Sequence, residues 1–319
     1  MKRSLIVFVF GCLYLASNGQ QDPQFTQWMF DKISFNPAAA GLNDMHCISA
    51  FARDQWDGFD KDPKTFMLNY EGFQEDINLG IGFTLYGESL GQERNTVARV
   101  AGAYRIPVGN GDQFQAGVAF GLYNKKLGND WIAIDPVTDD PVIPNNETAD
   151  NSFDMSLGVV YQRQNEFYAG LSMTHLTGAD LDQLSITMAR HLYFMGGYNF
   201  PLTGDLTLRT NLLAKTDFNA SIFDVNANVL YQDMLWAGLS FRPGDALAPM
   251  VGYQYSWEGV GGATGRDRIP QKVMVGYSYD VTTSEIKNYS DGSHELFVTY
   301  CFNIIANPLL NKHANPRFL

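Results

Sequence analysis

Five histidines, three cysteines and a cluster of aspartates are the residues of this 319-residue chain best suited to hold a metal or carry out catalysis. His46, His175, His191, His294 and His313 are scattered, and no His-Glu-x-x-His or Cys-x-x-Cys spacing sets two ligands side by side on one local element. A nucleophile, its base and an orienting partner are equally hard to assemble, so the sequence predicts no catalysis, no metal and no cofactor. Asp130, Asp135, Asp139 and Asp140 offer the hard oxygens that calcium wants. Their spacing lacks the glycine and terminal glutamate of a calcium loop, and a solvated acidic loop is the better reading.

What the chain offers instead is strand periodicity. Over residues 221–242 two runs alternate strictly. Phe223, Val225, Ala227, Val229 and Tyr231 share one face, with Asp224, Asn226, Asn228 and Gln232 on the other; Leu235, Ala237, Leu239 and Phe241 then alternate with Trp236, Gly238, Ser240 and Arg242. A turn at Gln232, Asp233 and Met234 closes them into an antiparallel hairpin with Tyr231 opposite Leu235 and Val225 opposite Phe241. Asp224 then faces Arg242 on the polar side, a partly solvated lumen pair worth about 0 to 1 kcal/mol that helps to fix register. Similar segments recur along nearly the whole chain, with aromatics near their ends. The fold class is therefore all-β: a transmembrane antiparallel β-barrel of about 14 strands over residues 45–302, apolar outside and polar within.

The start of the chain reads as a secretory signal peptide over residues 1–19, with basic Lys2 and Arg3, an apolar run over 5–15 and the small Ser17-Asn18-Gly19. No later run approaches 18 apolar residues, so only a closed barrel could cross a bilayer, which implies a bacterial outer membrane and contact with its lipid. The formal charge of −12, about −14 without Lys2 and Arg3, argues against nucleic acid as a partner.

Residues 20–44 lack alternation and mix aromatics with Pro23 and Pro37, which predicts an arm or plug. Phe25, Trp28, Phe30, Phe35, Asn36 and Pro37 are its candidate partner-binding residues, although its aromatics would equally suit a segment that buries itself in the barrel mouth. Long connections at 54–64, 87–94, 127–150, 174–188 and 280–291 fall on the outer side when counted from a periplasmic N-terminus. The stretch 258–270 is long on the periplasmic side and does not fit. Residues 303–319 form a C-terminal tail. Cys47 opens the first strand and Cys301 ends the last, both pointing inward. Direct pairing at the seam would allow a disulfide, whereas barrel shear would leave two reduced wall residues, the alternative the sequence favours.

The two ends carry a more specific signal. QDPQFTQWMF with FNPAAAG, within residues 21–41, resembles the N-terminal signature of the PorP/SprF family of type IX secretion outer-membrane proteins. YSYDVTTSEIKNYSDGSHELFVTYCF at 277–302, with the terminal NPRFL, is similar to that family's last hairpin and tail. The resemblance implies a barrel that works with other type IX secretion components at the periplasmic face, in secretion or surface retention of cargo. It also implies that the barrel engages the C-terminal domain of the cargo protein, and that gliding species include motility adhesins among that cargo. The alternative is a solute channel, porin-like or for apolar compounds, gated by the arm. A blocked lumen favours the first reading and an open polar bore the second.

Overall fold

Strands that alternate between an apolar and a polar face leave unpaired hydrogen-bonding edges, and in lipid such edges can be removed only by closure. The computed structural model, which describes residues 22–109, 111–129, 146–163, 166–184, 186–261 and 267–304, is closed in this way. The strands are β1 (His46–Asp54), β2 (Lys64–Gln74), β3 (Leu79–Leu90), β4 (Glu93–Gly109), β5 (Asp112–Leu127), β6 (Thr148–Arg163), β7 (Phe167–Thr174), β8 (Asp180–Leu181), β9 (Ile186–Thr187), β10 (His191–Pro201), β11 (Leu206–Thr216), β12 (Ser221–Tyr231), β13 (Leu235–Arg242), β14 (Ala246–Gly261), β15 (Asp267–Thr282) and β16 (Ser293–Phe302). Fourteen of them form one antiparallel barrel in sequence order, while β8 and β9 make a separate short ladder in the outer connection between β7 and β10. The seam joins β1 to β16 from His46 opposite Phe302 to Asp54 opposite His294.

The β12–β13 register is the one its alternation predicts, with Tyr231 opposite Leu235, Val229 opposite Ala237 and Val225 opposite Phe241. Gln232 and Asp233 make the turn with positive φ at both positions, the backbone that matches the twist of a tight hairpin. Around the barrel, outward side chains such as Val100, Leu122, Phe153 and Leu239 are exposed, whereas inward Arg99, Gln115, Asn226, Glu295 and Thr299 are buried. That is the reverse of a water-soluble protein and is stable only with lipid hydrocarbon against the outer face. The periplasmic margin is aromatic. Tyr255, Trp257, Tyr300 and Phe302 stack in succession on one side, and on another Phe167 stacks on Tyr198, which tilts against Phe200, as an interfacial girdle requires.

Two connections differ from the sequence reading for the same reason. β3 and β4 run on until only a tight turn with Gly91 at φ 58° remains of the expected loop over 87–94. β14 and β15 likewise keep pairing through Glu258 opposite Pro270 and Gly259 opposite Ile269, so the stretch that did not fit is a projecting hairpin. Beyond the bilayer both strand faces meet water, alternation fades, and the strand ends are no longer legible. The expected signal segment, most of the tail, and Asp130, Asp135, Asp139 and Asp140 lie outside the described residues.

Cys47 and Cys301 are direct partners across the seam, with Cα atoms 4.1 Å apart and their sulfurs bonded. The seam register carries no stagger at this point to separate them. A non-reduced proteolytic digest is expected to yield one cross-linked peptide pair containing both cysteines. Cys301→Ser should lower the stability of the folded barrel by about 2–5 kcal/mol, read as a lower temperature for loss of the fast-migrating folded band in gels.

Candidate functional site

Wall side chains can fill an eight-stranded barrel, but a fourteen-stranded one leaves a bore that needs other contents. Residues 22–44 occupy it. The segment begins among the outer ends of β7, β10 and β11, descends through two short 3-10 turns at Trp28–Phe30 and Pro37–Ala39, and leaves at the periplasmic end through Gly41 into β1.

Its outer part is tied down by a buried charge network. The amides of Thr26 and Gln27 donate to the two carboxylate oxygens of Glu295 at 2.7 and 2.8 Å. Arg53 holds Glu295 at 3.0 Å and Asp280 at 2.7 Å, and donates to the Thr26 hydroxyl at 3.0 Å. Arg242 extends the network to Asp224 at 3.0 Å and Asp245 at 2.7 Å, and the Trp28 indole donates to Asp224 at 3.3 Å. The Asp224–Arg242 pair therefore differs from the expected solvated one: both side chains are about 2% exposed, and Trp28 of the arm covers them. Removing one partner of such a pair costs about 3–5 kcal/mol, well above the surface value.

Below this network the arm packs by aromatic contact. Phe25 meets Phe51 edge-on at 5.8 Å, Phe30 stacks on Phe297 and tilts against Trp236 at 4.7 and 4.9 Å, and Phe35 meets Tyr193 at 5.7 Å. Trp28 is fully buried, whereas Phe30 is only half-buried and borders a cavity toward the periplasm.

The string FNPAAAG now has a physical reason. Asn36 caps the second turn by accepting from the Ala38 amide at 2.9 Å, and its own amide donates to the wall carbonyls of Val159 and Leu171 at 3.0 and 3.3 Å. Pro37 supplies the fixed φ of a first helical position. The turn lies so close to the wall that a β-carbon at Gly80 would sit 1.9 Å from the Ala40 carbonyl oxygen, and one at Gly158 2.0 Å from Asn36 Oδ1. Arg105 completes the periplasmic anchor by donating to the Gly41 carbonyl at 2.7 Å and pairing with Asp44. Arm signature and wall glycines are thus two halves of one fit, and the profile of type IX secretion system membrane proteins of the PorP/SprF type matches residues 17–300, both halves included. The chain belongs to the PorP/SprF family.

No curated protein sequence matches this family member. Among solved structures, it is similar to the CymD monoaromatic hydrocarbon channel, at 11% identity and TM-score 0.45 over 89% of this chain and 94% of that one. It is also similar to the Ralstonia pickettii toluene transporter TbuX, at 11% identity and TM-score 0.46 over 90% and 95%. The Pseudomonas putida toluene transporter TodX shows 10% identity and TM-score 0.46 over the same shares. As a type IX secretion membrane protein with this fold, the chain is a component of the bacterial outer membrane.

The six candidate partner-binding residues all lie within the bore of this PorP/SprF barrel, with Phe25, Trp28, Phe35, Asn36 and Pro37 buried. Sequence reasoning missed the groups that hold them: Arg53, Asp280 and Glu295 at the outer end and Arg105 at the inner. Each is an inward charged position on a strand, a readable signal, but their common partner could not be read. It also missed that closure brings His175 and His191 to Asp22, with His175 Nε2 2.7 Å from the Asp22 carboxylate.

Toward the periplasm Phe30 and Lys32 border a polar cavity of about 330 Å³ that is also lined by Arg209, Lys272, Asn43 and Gln254. Lys32 donates to the Met29 carbonyl at 2.9 Å and lies over the Tyr168 ring.

Gly80→Ala should dislodge the arm without preventing barrel assembly, raising protease cleavage within residues 22–44 roughly tenfold or more, since cleavage tracks the open population. Gly102→Ala, where a β-carbon meets open space, should leave the rate unchanged.

Proposed function

We propose that this PorP/SprF barrel is a plugged, non-catalytic platform of the type IX secretion system. It assists secretion or surface retention of cargo by engaging the cargo's C-terminal domain, and its own bore is not the route of passage. The occupied lumen carries this reading. The arm runs the height of the barrel and is anchored at both ends, and withdrawing it would strip Glu295, Asp280 and Arg53 of their buried hydrogen bonds to Thr26 and Gln27, each worth about 1.5–3 kcal/mol because one partner is charged. A gate that opens in use would not be built on such ties. In this reading Phe25, Trp28, Phe30, Phe35, Asn36 and Pro37 serve partners indirectly, by keeping the bore shut. Docking falls to the two rims, where the outer connections face cargo and the β14–β15 hairpin reaches toward the periplasmic components.

Recording from the purified intact chain in planar bilayers should give no steady conductance. Cross-linking and affinity purification from native outer membrane should recover secreted proteins that share a C-terminal domain, together with periplasmic type IX components. Steady conductance with no cargo recovered would replace this reading with that of a solute channel.

A further inference from the structure

At the start of the arm three metal-ligating side chains converge from distant parts of the chain, and the platform role uses none of them. Asp22 faces His175 Nε2 at 2.7 Å through one carboxylate oxygen and His191 Nδ1 at 3.7 Å through the other. One ligand atom from each of the three lies within 4.8 Å of the others. His191 is the most informative member. It is 3% exposed, and neither of its ring nitrogens has a hydrogen-bond partner, which for a buried polar group is costly and rare.

The surroundings also have the form of a metal site. Behind His175, Nδ1 lies 3.0 Å from the Asp154 carboxylate, which places that carboxylate where one orients a metal-bound imidazole. Tyr193 donates to one Asp22 oxygen at 2.8 Å, leaving the other to act as a single ligand. Lys215 holds the Asp22 backbone carbonyl at 3.3 Å and so fixes the residue's position. Two imidazoles and one carboxylate suit a borderline divalent ion, zinc above all, and do not suit calcium or magnesium, which take oxygen shells. Zinc–ligand bonds of about 2.0–2.2 Å put ligand atoms roughly 3–3.5 Å apart, so His191 must close slightly and the His175–Asp22 contact must open.

We propose that Asp22, His175 and His191 bind one zinc ion, with Asp154 orienting His175 and water in the fourth position. The ion fastens Asp22 of the arm to the wall near the outer rim, displacing the proton that His175 Nε2 otherwise shares with Asp22 and leaving the Nδ1 proton toward Asp154. This assignment stands or falls separately from cargo docking.

The test uses the full-length barrel, free of any histidine tag, in detergent, with zinc chloride followed by calorimetry and cobalt(II) followed by visible absorption. One zinc per chain at micromolar affinity or tighter is expected, together with the intense visible bands of four-coordinate cobalt. His191→Ala should weaken binding about tenfold or more while the barrel still migrates as folded, and zinc should slow protease cleavage of the arm in the wild type alone. Because the His191 ring makes no hydrogen bond in the fold, its replacement remains decisive even if Asp22→Asn prevents folding. Absence of stoichiometric zinc, or equal binding by His191→Ala, would overturn the assignment and leave His175 as an ion bridge between two carboxylates.

Discussion

An irregular backbone inside a membrane-embedded bore must have every amide and carbonyl answered by protein, and the Arg53 network is what makes this possible here. The first turn of the arm offers two free amides, and Glu295 takes both. A carboxylate in that setting is itself expensive unless a cation sits on it, and Arg53 does so while also holding Asp280. Arg242 joins the same group of charges through Asp280 at 3.9 Å. The place of the arm's first turn follows from these charges.

The periplasmic half solves the same problem by shape. Around Pro37–Ala39 the wall contributes glycines and backbone carbonyls where the arm contributes alanines and one asparagine, so two backbones lie nearly in contact with little side chain between them. Close packing of this kind is unforgiving of added volume. Hydrogen bonding holds the segment at its top and steric fit at its base, with the Phe30, Trp236 and Phe297 rings filling the space between.

Much of the barrel was legible because lipid imposes a strict period of two. The β12–β13 register, the strand number and the inward direction of Cys47 and Cys301 all follow from alternation within a few residues of sequence. Legibility ended where the solvent changed. Past the bilayer, β3, β4, β14 and β15 continue with water on both faces, and no pattern marks their true ends. It ended again for the site, whose members are distant in sequence. Thr26 and Glu295 are 269 residues apart, and His175 and His191 flank a loop whose two ends meet only when β7 pairs with β10. Glycines at 80 and 158 could be read as room in the lumen, but not as the imprint of a particular segment.

The arm is joined to β1 at the periplasmic end, and its other end lies near the outer rim. A finished cylinder offers no lateral entrance, and nine consecutive pairs close β1 against β16. The segment must therefore be threaded lengthwise through a completed bore, or the sheet must curl around it. On the second route the wall's glycines and inward charges come into register with the segment as each strand arrives, and the arm is the mandrel on which the cylinder is wound.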